Sequence, residues 1–157
     1  MTQIIQGNFR DMNKITDQIY VGCYHAASML DYSNREGITH ILNCTPDPHQ
    51  GLKDFTVNQL NIHDGYEIPA EIIGFAIKCI SEAVKDGGKI LVHCHAGISR
   101  STSLVCAYLM SCGFSWDDAV ALVKAHRPQV WPHPNVERSI KNYFGKTINP
   151  NTTLLRN

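Results

Sequence analysis

Residues 90–103 read ILVHCHAGISRSTS. Ile90, Leu91 and Val92 form a short apolar run of the kind that makes a buried strand. Cys94 and Gly97 then lie in a tight loop, and Arg100 and Ser101 lead into the helix-forming run LVCAYLM. A strand that ends in a tight loop and feeds a helix N-terminus is an anion site, because loop N–H groups point inward and the helix dipole adds partial positive charge. A cysteine at the start of such a loop is favoured as the thiolate. Arg100, six residues after Cys94, closes the cradle as a planar fork able to grip two phosphate oxygens. The stretch therefore points to thiolate attack on phosphorus. A buried cysteine with a surface arginine nearby is the plainer reading. By average composition, Gly at +3 and Arg at +6 accompany roughly a few cysteines per thousand, and His93 and Ser101 lower that by about two further orders.

HCHAGISRS, residues 93–101, resembles the His-Cys-x5-Arg-Ser/Thr signature of cysteine-based protein phosphatases, and its AGxSRS form is most similar to the dual-specificity branch. IYVGCYHAASM, GITHILNCTPD, Asp64 and AHRPQVWPHP resemble successive segments of a dual-specificity catalytic domain, so the likeness runs from about residue 15 to residue 144. It implies an α/β, protein-tyrosine-phosphatase-like fold with a central mixed sheet flanked by helices. It also implies Cys94 as nucleophile, and His95, Ala96, Gly97, Ile98, Ser99 and Arg100 as the phosphate-binding loop. Ser101 stands where the family keeps a hydroxyl that helps the thiolate leave, although a serine also suits a helix N-terminus.

The leaving oxygen needs a proton from another loop. The family places an aspartate about thirty residues before the cysteine, which is the position of Asp64 here. Asp64 also suits a turn before Gly65, and Glu67 is the competing acid. Asn43 matches a family asparagine that buttresses the phosphate loop, or else simply ends a strand. His93 either orients the loop or tunes the thiolate, or else is a strand-end histidine satisfied by backbone. The resemblance implies no metal and no organic cofactor. His93, Cys94, His95 and the nearby His63 invite a zinc reading, but consecutive residues of an extended strand point to opposite faces and cannot easily share one ion.

At 157 residues the chain is long enough for one domain with a proper core and short for two. The expectation is a single catalytic domain over 1–157, with a core at about 14–145 and peripheral segments at 1–13 and 146–157. Fourteen basic residues balance fourteen acidic ones, leaving no net field to draw the protein to nucleic acid or an anionic membrane. Six cysteines raise the question of disulfides. MTQIIQGNFRDMNK lacks the pattern of a secretory signal, and no apolar run is long enough to span a membrane. The expectation is a reduced, cytoplasmic monomer with free thiols.

Along the chain, residues 14–21 read as a first strand closed by Gly22, 26–34 as a short helix, and 38–44 as a strand stopped by TPDP. Residues 55–62 read as a strand by imperfect alternation, followed by the HDGY loop. Pro69 opens a helix whose apolar stripe (Ile72, Ile73, Ala76, Ile77, Ile80, Ala83, Val84) runs to DGG. The helix after the signature stops at Gly113, Ser115 caps another that ends near Arg127, and residues 136–144 form a last helix.

The expected activity is hydrolysis of protein phosphotyrosine, and of phosphoserine and phosphothreonine, through a phosphocysteine that water then cleaves. A phosphoinositide or glucan phosphatase on the same fold is the first rival; the loop's variable positions hold His95 and Ile98 rather than the extra lysines of phosphoinositide enzymes. A catalytically dead phosphate-binding module is the second, and such modules typically lack the cysteine or the arginine.

Overall fold

A computed structural model describes residues 11–147, with side chains described as far as residue 145. The expectations for residues 1–10 and 148–157 lie outside the described residues. Five strands form one mixed sheet in the order β1-β2-β5-β3-β4. These are β1 (Met12–Lys14), β2 (Ile19–Gly22), β3 (His40–Asn43), β4 (Thr56–Gln59) and β5 (Ile90–His93). β1 runs antiparallel to β2, and the other neighbours are parallel. The helices are α1 (Tyr24–Ser28), extended by a 3-10 turn over Met29–Asp31, then α2 (Ala70–Lys85), α3 (Arg100–Ser111), α4 (Trp116–His126) and α5 (Pro134–Thr147).

β5 lies at the centre because a strand buried on both faces reads as a near-continuous apolar run, which Ile90, Leu91 and Val92 supply, and His93 beyond them is buried as well. Alternation divides the sheet between two cores. Ile19, Val21, Leu42, Ile90 and Val92 face α2, α3, α4 and α5, and Tyr20, Ile41 and Leu91 face Ala27, Leu30, Ile38 and Leu52 on the other side. Parallel registry aligns Gly22, His93 and Asn43 across the three central strands. Their C-terminal ends, where parallel α/β sheets place ligand crevices, therefore open together around Cys94.

The single strand expected over residues 14–21 is a short antiparallel pair. Thr16 Oγ1 accepts from the amides of Gln18 and Ile19 at 3.3 and 3.1 Å and makes the reversal between β1 and β2, a hydroxyl turn that hydrophobic periodicity does not register. The pair also needs a glycine at position 22, where a Cβ would stand 2.7 Å from Met12 Cβ and 2.8 Å from Asp11 O. Only Thr56–Gln59 of the segment 55–62 is strand, at the exposed edge of the sheet. The last helix starts at Pro134, two residues earlier than expected, because proline is well suited to a first turn as well as to a loop. α3 gives way at Cys112 to Gly113 with φ +107°, and Ser115 Oγ caps α4 by accepting from Asp118 N at 3.0 Å, both as the local signals predict.

Candidate active site

The loop between β5 and α3 is shaped by where its carbonyls go. Cys94 O accepts from His93 Nδ1 at 3.1 Å, and His95 O from Tyr24 N at 3.0 Å. Arg127 serves the next two, donating from Nη2 to Ala96 O at 3.0 Å and from Nε to Gly97 O at 2.7 Å. Ile98 O accepts from Trp131 N and Thr102 Oγ1, and Ser99 O from Ser103 N and Thr102 Oγ1. Six consecutive carbonyls are thus taken from outside. In a planar trans peptide the next residue's N–H points opposite to the carbonyl, so the amides of residues 95–100 turn to the concave side. Gly97 N shows this directly by donating to Cys94 Sγ at 3.2 Å.

Gly97 has φ +68°, and a Cβ there would meet Arg127 Nη2 at 2.5 Å and Gly22 O at 2.6 Å. Cys94 is buried, with Ser101 Oγ 3.2 Å from its sulfur. Arg100 is buried and donates from Nη1 to Ile62 O at 2.9 Å, while its Nε meets no hydrogen-bond acceptor. A buried guanidinium N–H without a partner carries a desolvation cost, which an anion in the cavity would remove. Asp64 Oδ1 stands 3.9 Å from that Nε, too far for a hydrogen bond.

One cavity of about 220 Å³ is lined by Asp64, Cys94, His95, Ala96, Ile98, Ser99, Arg100, Trp131 and His133. The structure thus brings Asp64 to the cysteine across thirty residues of chain. Glu67 lines a different depression and faces Arg138 Nη2 at 3.7 Å. Gly97 itself does not line the Cys94 cavity, and its amide reaches the concave side through the Cys94 sulfur.

His93 is fully buried, and burial pushes its imidazole down to about 3, so the ring is neutral near pH 7. A carbonyl can only accept, so Nδ1 carries the proton given to Cys94 O, and Nε2 is left as an acceptor. His49 Nε2, 2.9 Å away, is then the donor. Burial also holds His49 below the usual histidine range. Tyr24 stacks between His49 and His95, at centroid distances of 4.3 and 5.2 Å. The hydrogen bonds of the Asn43 side chain go to its own loop. Its Oδ1 accepts from Thr45 N and Oγ1, its Nδ2 donates to Asp47 O at 2.8 Å, and Asp47 Oδ2 in turn meets His95 Nε2 at 2.7 Å. Asn43 thus connects to His95 of the loop through Asp47.

Arg127, Tyr24 and His49 are the residues that the sequence reading passes over. A signal existed for the first, since Arg127 lies in AHRPQVWPHP, but it reads there only as a helix end. None of the six cysteines is joined in a disulfide. Burial pushes the Cys79 thiol up to about 11 and that of Cys106 to about 12. Burial, and then the neighbouring Cys94 sulfur, raise Cys44 well above its usual value. Among the described residues no group of three or more His, Cys, Asp or Glu could hold a metal ion, and no helix is long and apolar enough to cross a membrane.

A parallel-sheet crevice with a cysteine beneath inward-turned amides, an arginine with a free N–H and an opposing carboxyl define a phosphate-handling α/β domain. Residues 19–146 match the family described as dual specificity phosphatase, catalytic domain. Dual specificity protein phosphatase 15 of Mus musculus is 33% identical over 138 residues, covering 84% of this chain and 57% of that protein. Dual specificity protein phosphatase 22-A of Danio rerio is 33% identical over 147 residues, covering 92% of this chain and 71% of the relative. A crystal structure of DUSP15 superposes with a TM-score of 0.78 at 34% identity, covering 84% of this chain and 86% of that one. This chain belongs to the dual specificity phosphatase family, whose members are cysteine-based protein phosphatases. It spans a little over half the length of the mouse relative.

Proposed function

We propose that this chain hydrolyses phosphate monoesters on protein side chains, phosphotyrosine together with phosphoserine and phosphothreonine, acting as a single catalytic domain in the cytoplasm and as a monomer. In the first step the Cys94 sulfur attacks phosphorus as the ester P–O bond breaks, and Asp64 passes its proton to the departing oxygen. The product is a phosphocysteine. In the second, Asp64 takes a proton from water, the water oxygen bonds to phosphorus, and the S–P bond breaks with its electron pair returning to sulfur. Ser101 Oγ, 3.2 Å from that sulfur, is placed to donate to it as it leaves. The inward amides and Arg100 hold the three non-bridging oxygens throughout, where charge is spread in the transition state.

The observation that carries this reading is the convergence of Cys94, Arg100 and Asp64 on one cavity, with the buried Arg100 Nε–H left without a hydrogen-bond acceptor. Turnover of para-nitrophenyl phosphate by the wild type and by Cys94→Ser tests it. The serine variant is expected to lose turnover and to keep binding phosphate, because the amides and Arg100 remain. Activity of Cys94→Ser within about tenfold of wild type, a deficit of only ~1.4 kcal/mol, would rule out sulfur as the nucleophile.

A further inference from the structure

Trp131 is 61% exposed at the rim of the Cys94 cavity, although so large an apolar side chain is usually covered. Its backbone is held where its ring is not. Trp131 N donates to Ile98 O at 2.9 Å, and His133 N donates to Ser99 Oγ at 2.9 Å. Alternate residues of this segment are therefore tied to the phosphate loop. Pro132 and Pro134 flank His133 and lock their own φ angles. Asn135 Nδ2 donates to Gly65 O at 2.9 Å, which ties the same segment to the loop carrying Asp64. The His133 ring is fixed by accepting at Nδ1 from Asn135 N at 3.0 Å, and it stands perpendicular to the indole at 6.4 Å.

An exposed indole on a rigid, braced backbone is a surface already paid for in entropy, the condition under which an aromatic contact contributes most to binding. The cavity, at about 220 Å³, is several times the roughly 30 Å³ share of one water molecule in the liquid, so it has room beyond a phosphate group. Ile98, Trp131 and His133 line it together with Asp64 and His95. A seryl or threonyl phosphate brings no ring to this wall, whereas a tyrosyl phosphate places a flat apolar ring between the phosphate and the peptide.

We propose that Trp131, braced by His133, is the specificity-determining wall that receives the ring of a phosphotyrosyl side chain, so that this chain favours aryl over alkyl phosphate monoesters. The inference rests on the phosphatase reading above and adds the preferred substrate class to it. The test uses one peptide sequence carrying phosphotyrosine or phosphothreonine at the same position, assayed with wild type, Trp131→Ala and Trp131→Phe. Trp131→Ala is expected to lower kcat/KM for the phosphotyrosine peptide roughly 3- to 10-fold, mainly through KM, and to leave the phosphothreonine peptide within about twofold. Trp131→Phe, which keeps a ring, is expected to retain most of the phosphotyrosine activity. Melting temperatures should match, since the indole is exposed. An equal fall on both peptides, no fall on phosphotyrosine, or a Phe variant no better than Ala overturns the inference. A wild type inert towards both peptides would remove the phosphatase reading itself, and the inference with it.

Discussion

Arg127 is expected to be the costliest residue to lose outside the reacting groups. Its side chain is fully buried, with Nε on Gly97 O at 2.7 Å, Nη2 on Ala96 O at 3.0 Å, and Nη1 on Asn13 Oδ1 at 2.8 Å and Asp11 Oδ1 at 2.9 Å. Arg127→Met leaves a similar length of side chain and removes every donor. Two loop carbonyls then lose charge-assisted bonds worth about 1.5–3 kcal/mol each, or ~3–6 kcal/mol together. Asp11 is about a third exposed, so its ion pair adds ~1 kcal/mol or less. For a domain of this size each kcal/mol lowers the melting temperature by about 2–4 °C, so a fall of ~6–28 °C is expected in a thermal scan. The loss also reaches the site. Without Arg127 the Ala96 and Gly97 carbonyls are free to rotate, which takes the Gly97 N–H off the Cys94 sulfur and turns the Ile98 N–H away from the concave side. Protection of Cys94 from alkylation by inorganic phosphate, measured well below the melting point, should weaken in parallel. A variant that melts with the wild type and is protected at the same phosphate concentration would refute the claim that Arg127 holds the loop.

Asp64→Asn is expected to slow phosphopeptide hydrolysis by roughly 10²–10⁴-fold and para-nitrophenyl phosphate far less, because a nitrophenolate leaves with little need of a proton; Glu67→Gln should change neither, and the reverse pattern would exchange the two roles. Stability should fall on acidification below about pH 6.5, because the unfolded chain protonates His93 there while the folded chain keeps it neutral down to about 3. That amounts to about 2 kcal/mol by pH 5, with His49 acting in the same direction, and urea denaturation of His93→Gln should show a shallower acid loss. Gly97→Ala is expected to abolish turnover and lower stability, since its methyl group would stand 2.6–2.8 Å from the Gly22 carbonyl and 2.5 Å from Arg127; an active, fully stable alanine variant would mean that the loop can be closed another way.

Taken by itself, the order of residues determined the features whose causes are local. The turn from Cys94 to Ser101 was legible because its requirements fall within eight residues: a cysteine, a glycine that can hold φ +68°, and an arginine and serine opening a helix. α2 and the end of α3 were legible for the same reason, the first from its 3.6-residue stripe and the second from Gly113. The tertiary structure decided what comes from far along the chain. Arg127 reaches the loop carbonyls across about thirty residues, and His49 reaches His93 across 44; no periodicity marks a residue whose partner is a backbone oxygen on another element. The antiparallel β1 likewise exists only because β2 offers it a ladder, and three residues are too few to show alternation. Asp64 and Glu67 lie three positions apart and are chemically alike, so composition cannot rank them. One lines the Cys94 cavity and the other faces Arg138 because Asn135, in the first turn of α5, pins Gly65 while Ser139 Oγ accepts from Ile68 N. A sequence specifies such choices only through the packed whole, since the energy that settles them is shared among contacts that do not exist until the chain has folded.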